Sequence, residues 1–181
     1  MHWGLIFERQ DIHSRFQQLR HPQKTVLVAA YLYRQLRLIE DFDHVYSERL
    51  SALFSSALSL IASEEKEALK DMADAIEAQI PDTEEFSEQQ GSHAQNLMIA
   101  LHYLIAYSLN AREPDLRQCV NMSLQNIDLL NHEKDENYDQ AAVIGAEADV
   151  MSTLIGRMVQ CSPGKQVGID RLGDIVKGHW I

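Results

Sequence analysis

Proline and glycine are scarce: four and eight of them interrupt 181 residues. So little punctuation leaves long stretches for uninterrupted helix, and no alternating strand pattern stands against that reading. Cysteine is scarcer still, with only Cys119 and Cys161 in the chain. Two cysteines without CxxC spacing exclude a disulfide framework and a cysteine-based zinc site, and they suit a reducing, cytoplasmic setting. Basic charge is also short, at 16 Lys plus Arg against 27 Asp plus Glu, for a formal net charge of -11. That balance repels polyanions, so nucleic acid and anionic membrane surfaces are not expected partners. No apolar run is long enough to span a membrane, because His102, Tyr103, Tyr107 and Ser108 interrupt the longest one. The opening MHWGLIFERQ has no basic start followed by an apolar stretch and a small-residue cleavage site, so it is not read as an export signal.

What remains is helical periodicity. In RHPQKTVLVAAYLYRQL, Pro22 suits a first helical turn, and Val26, Ala29, Ala30, Leu32, Tyr33 and Leu36 form an apolar face running to about Leu38. A second pattern, Phe42, Val45, Leu50, Leu53, Phe54, Ala57, Leu58 and Ile61, predicts helix over roughly 42–61. Ser63 is placed to cap a third, acidic helix whose inner face is Leu69, Met72, Ala73, Ile76 and Ile80. Residues 63–90 hold ten acidic and two basic side chains, which a solvated helix face and a joint account for.

That joint is IPDTEEF, residues 80–86. Pro81 stops the acidic helix, and Asp82 with Glu85 has the spacing of a capping box for one short turn. Gly91 and Ser92 restart the chain, with Gln95 at the reciprocal capping position. The segment from Ala94 to Ala111 is apolar on nearly every side, which predicts a central helix. Glu113, Pro114 and Asp115 open the next helix, and a polar joint, LNHEKDENYD, precedes the helical pattern AAVIGAEADVMSTLIGRMV. The expected architecture is all-α, a single irregular or orthogonal bundle of six to seven helices over residues 1–163, with 164–181 a C-terminal tail, docked or partly flexible.

The chemical motifs fail one by one. Asp135, Asn137 and Asp139 occupy the first, third and fifth positions of a calcium loop, but Gln140 and Ala146 stand where Gly and Glu are required. Asp41 and His44 share a helix face, and no second such pair completes a dimetal set. Zinc, dinucleotide, phosphate-loop and nucleophile-elbow signatures are missing, so no metal or cofactor is expected.

Buried polar residues are the remaining candidates. Asn96 and His102 lie in the apolar helix, and Glu147 lies in the stripe of Val143, Met151, Leu154 and Met158. A buried carboxylate must be paired or neutral, and Arg34 and Tyr103 are the candidate partners. Asn96, His102, Glu147 and Arg34 are therefore candidate ligand-binding residues, weighed against a plain hydrogen-bond network between helices. A separate surface reading sets Phe42, His44, Tyr46 and Arg49 beside the helix as anchors for a protein interface. The favoured function is protein association or an adaptor-like role, with self-association or another protein as partner. The alternative is a small-molecule binder or enzyme using the His, Glu and Asn set.

Taken together, IPDTEEF, the following glycine and apolar helix, and KTVLVAAYLYRQL resemble the bacterial YjaG-like proteins, a family described as a domain of unknown function. The resemblance covers most of residues 15–160, and it implies a small all-helical cytoplasmic protein able to dimerise, with no established substrate, cofactor or catalytic residue. The family pattern has an acidic residue before the arginine corresponding to Arg34 and a proline and a tyrosine after it. This chain reads YRQLRLI from Tyr33 to Ile39.

Overall fold

A computed structural model describes residues 1–160 and 168–181. The expected tail boundary at 163–164, and Cys161, lie outside the described residues. The described residues are helical with no strand, in ten helices. They are α1 (Gly4–Phe7), α2 (Gln10–Gln17), α3 (His21–Tyr33), α4 (Leu36–Tyr46), α5 (Leu50–Ser63), α6 (Lys66–Ala78), α7 (Gln89–Asn110), α8 (Glu113–Lys134), α9 (Gln140–Gln160) and α10 (Ile169–Val176). Seven of these have eleven residues or more, and the extra three are the short α1, α2 and α10.

The centre is where the hydrophobic pattern puts it. Helix α7, about 33 Å long at 1.5 Å per residue, touches α3, α4, α5, α6 and α8. Its buried residues include Ala94, Leu97, Met98, Leu101, Leu104 and Ile105. Most of its side chains find helices there, while the stripe of Gln95, Ile99, His102, Ala106 and Leu109 is only half-buried. Helices α7 and α8 are joined by Ala111 and Arg112 alone, with Ala111 in the left-handed region at φ 56°. A connection this short folds the second helix back along the first.

Helix boundaries differ from expectation where neither glycine nor proline marks them. The helix expected to reach Leu38 stops at Tyr33, and α4 starts after a single turn at Arg34 and Gln35. The helix expected over 42–61 is split at Ser47 to Arg49. Ser47 is left-handed at φ 59°, and Asp43 supplies the start of α5 from the previous helix: its Oδ1 accepts the Leu50 amide at 2.7 Å and its Oδ2 the Ser51 amide at 2.9 Å. Ser63 is the last residue of α5, and Glu65 rather than Ser63 is the N-cap of α6. Gln95 does not cap α7, which begins two residues before Gly91; its Nε2 donates to the Pro81 carbonyl at 2.7 Å. In the 135–139 joint Asp135 accepts the Asn137 amide, and Asp139 accepts the Ala141 and Ala142 amides to cap α9.

The N-terminal helices pack as an aromatic plug, in which Trp3 stacks on Phe7 at 3.9 Å and both meet the Phe16 ring edgewise. At the other end α10 packs on α3, α5 and α9, burying Leu172, Ile175 and Val176. Among the described residues no helix is long and apolar enough to cross a membrane.

Candidate functional site

Glu147 and Arg34 meet in the interior. Only 6% of Glu147 and 4% of Arg34 is exposed. Arg34 donates from Nη1 to Glu147 Oε2 at 2.5 Å and from Nη2 to Oε1 at 3.2 Å. The Tyr31 hydroxyl adds a third bond to Oε2 at 2.6 Å. Both carboxylate oxygens are thus engaged, and Arg34, not Tyr103, is the ion-pair partner. Burial, then the Glu147 charge, pushes the Tyr31 phenol well above its ordinary range, so Tyr31 stays a donor. Arg34 also donates from Nε to the His179 carbonyl at 2.8 Å, and its own carbonyl accepts the Ile181 amide at 3.1 Å. The guanidinium therefore ties α3, α9 and the end of the chain.

Asn96 and His102 lie elsewhere in the hydrogen-bond pattern. Asn96 donates to Asn126 Oδ1 at 2.9 Å, and Asn126 in turn donates to the His93 carbonyl at 3.0 Å. Gln35 donates to the Ser123 hydroxyl at 2.5 Å, one turn back along α8. His93 Nε2 sits 3.3 Å from Glu133 Oε1, close enough for an ion pair with a protonated ring though not aligned as a hydrogen bond. His102 is half-buried, and its Nδ1 has no hydrogen-bond partner among the described residues. No hydrogen bond links either Asn96 or His102 to Glu147. Among the described residues no three His, Cys, Asp or Glu side chains are grouped to hold a metal ion.

An open cleft of about 320 Å³ forms instead between the α4–α5 joint and the α6–α7 joint. Phe42, Leu50, Leu53, Ile80, Pro81 and Phe86 supply its apolar lining, and Glu48, Arg49, Asp82 and Glu85 its charged lining. The two joints are knit together by aromatic contacts. Phe86 meets Phe42 at 5.1 Å and Tyr46 at 4.9 Å, both edgewise, and the Tyr46 hydroxyl accepts the Glu88 amide at 3.1 Å. Asp82 builds the acidic turn: its carbonyl accepts the Glu85 and Phe86 amides, and its side chain accepts the Glu84 amide.

Of the four surface anchors read from the sequence, Phe42 is buried in the cleft wall, Tyr46 is half-buried, and His44 and Arg49 are exposed. The acidic joint as the opposite wall was not foreseen, and neither were Tyr31, Asn126 and the Asp43 cap. A signal for the joint was present in the five-residue spacing between Phe86 and Gly91, since a glycine in a helical first turn invites close backbone approach. No family model, curated protein or solved structure matches the chain.

Proposed function

We propose that the protein acts by association, docking in this cleft a short partner segment that carries a basic side chain beside an apolar one. The cleft lining carries the reading: Leu53, Ile80 and Phe86 are half-buried and give its floor some accessible apolar surface, and three carboxylates stand around it against one guanidinium. Water on such a floor is displaced favourably by an aliphatic side chain, while the surplus negative charge selects a cationic neighbour. Arg49 makes no ion pair among the described residues, and it restrains any partner of uniform positive charge. Engagement of both Glu147 oxygens by Arg34 and Tyr31 supports association over a reaction at that carboxylate. The fully buried thiol of Cys119, its pKa raised by burial, suits the same passive chemistry and a reducing compartment. Kinship with the YjaG-like family is retained as a proposal and assigns a role to none of these residues.

Fluorescence anisotropy with a set of short labelled peptides tests this. Peptides pairing Lys or Arg with Leu or Ile should bind, weaken as salt rises, and weaken further with Glu48→Lys plus Glu85→Lys, both residues being exposed and clear of the core. Equal binding by the reversed-charge variant would reject the cleft as the docking site.

A further inference from the structure

The end of the chain is tightly held and yet leaves its largest side chain in solvent. Arg157 Nη1 donates to the Ile175 and Lys177 carbonyls at 2.5 and 2.9 Å, the His179 amide bonds the Val176 carbonyl, and Arg34 holds the main chain at both His179 and Ile181. Gly178, at φ 80°, supplies the left-handed residue that the reversal needs. With its two neighbours pinned inward, Trp180 must face outward, and 53% of it is exposed.

Trp180 meets Tyr33 with ring centroids 5.3 Å apart and planes at 70°. Tyr33 is itself backed by α10, where a Cβ built on Gly173 would lie 3.8 Å from its ring. In this edge-to-face contact the edge of one ring meets the face of the other, and more than half of Trp180 stays in solvent. Acidic residues flank them: Asp170, one turn before Gly173 on α10, and Glu40 on α4, both exposed. Their charges, after burial, help to raise the Tyr33 phenol above its ordinary pKa.

From this we infer a cation site: the geometry points to Tyr33, Trp180, Glu40 and Asp170 as a shallow platform for an alkylammonium group, as carried by a lysine side chain of a partner. The rings would supply cation–π attraction and the carboxylates the long-range pull that brings the cation to them. Neither component needs a deep pocket, so affinity for an isolated ammonium falls in the millimolar range. The platform shares no residue with the cleft, and either proposal can fail alone.

The two tryptophans make the test internal. In the ¹⁵N-labelled protein, the indole signal of Trp180 should shift saturably on addition of choline chloride, while that of Trp3, buried against Phe7, stays still. Sodium chloride at equal ionic strength and 3,3-dimethylbutan-1-ol, the neutral isostere of choline, should leave both signals in place. Tyr33→Leu, and separately Glu40→Gln with Asp170→Asn, should each weaken choline binding by about fivefold, and an unmoved Trp3 signal reports that each variant is folded. An unsaturable shift, an equal response to the neutral isostere, or undiminished affinity in the folded variants would overturn the assignment.

Discussion

Gly91 lies directly against the backbone of Phe86: a Cβ built on it would stand 1.9 Å from the Phe86 carbonyl oxygen and 2.8 Å from its carbonyl carbon. Both atoms are main chain, so no rotamer change relieves the contact. Gly91→Ala must push the acidic joint away from α7 and pull Phe86 from Phe42 and Tyr46. Overpacking of this kind costs about 3 kcal/mol, or roughly 10 °C in Tm for a chain of this length. Thermal unfolding followed by circular dichroism measures it, and a variant as stable as the parent would mean that the joint moves freely.

Three helix ends run the opposite way. Ser47, Glu64 and Ala111 sit at φ 59°, 60° and 56°, closing α4, α5 and α7 in a conformation that only glycine adopts without steric cost. Replacing each in turn by glycine should stabilise the protein by about 0.5 to 1 kcal/mol. Urea midpoints should rise with the slope of the transition unchanged. A fall at all three positions would refute the left-handed assignment.

At the buried ion pair the outcome depends on which partner is removed. Glu147→Gln leaves the Arg34 guanidinium without its counter-charge in the interior, at a cost of about 3 kcal/mol. Tyr31→Phe removes one donor and keeps the pair, costing about 1 to 2 kcal/mol. Replacing Arg34 by Met together with Glu147 by Leu should recover much of the first loss, because two apolar residues need no counter-charge. Chemical denaturation of these variants measures the losses, and a double variant no more stable than Glu147→Gln would show that the uncompensated charge is not the source of the cost.

Acid should destabilise the fold through His93. Burial lowers its pKa, against the opposing pull of Glu133 and Asp41. The unfolded chain therefore takes up the proton first as pH falls through about 6.5. Stability is full above that value, declines below it, and stops declining once the folded ring is protonated as well. His179, lowered by burial and then by the Arg157 and Arg34 charges, contributes with the same sign. Denaturation midpoints between neutral and mildly acidic pH should flatten in His93→Gln and flatten further with His179→Gln. A steeper slope in either variant would reverse the assignment.

Periodicity made the helices and their inner faces readable, most clearly in α7, where a residue set apolar on every side leaves only a central position. It did not reveal the breaks at Gln35 and Ser47. The second depends on a non-glycine residue forced left-handed at Ser47 and on Asp43 reaching seven residues forward to cap α5, a tie between elements rather than a local signal. Burial of Glu147 followed from its neighbours in the stripe, and Arg34 was one of two partners that chemistry allowed. The grouping with Asn96 and His102 was beyond reach. Six residues apart on a helix, those two side chains point about 120° away from each other, and periodicity alone does not say which neighbour each will meet. Asn96 finds Asn126 on α8, a partner thirty residues away.

The span of the Arg34 contacts also has a meaning during synthesis. Its carboxylate partner is 113 residues further along the chain, and the carbonyl it holds at His179 is 145 residues away. At about 5 to 20 residues per second on a ribosome, the guanidinium waits roughly 6 to 23 s for Glu147 to be made. Until then it cannot enter a dry interior without its counter-charge, so α3 cannot be fully covered by its neighbours. The side of α3 that meets α9 is therefore completed only once translation has reached α9.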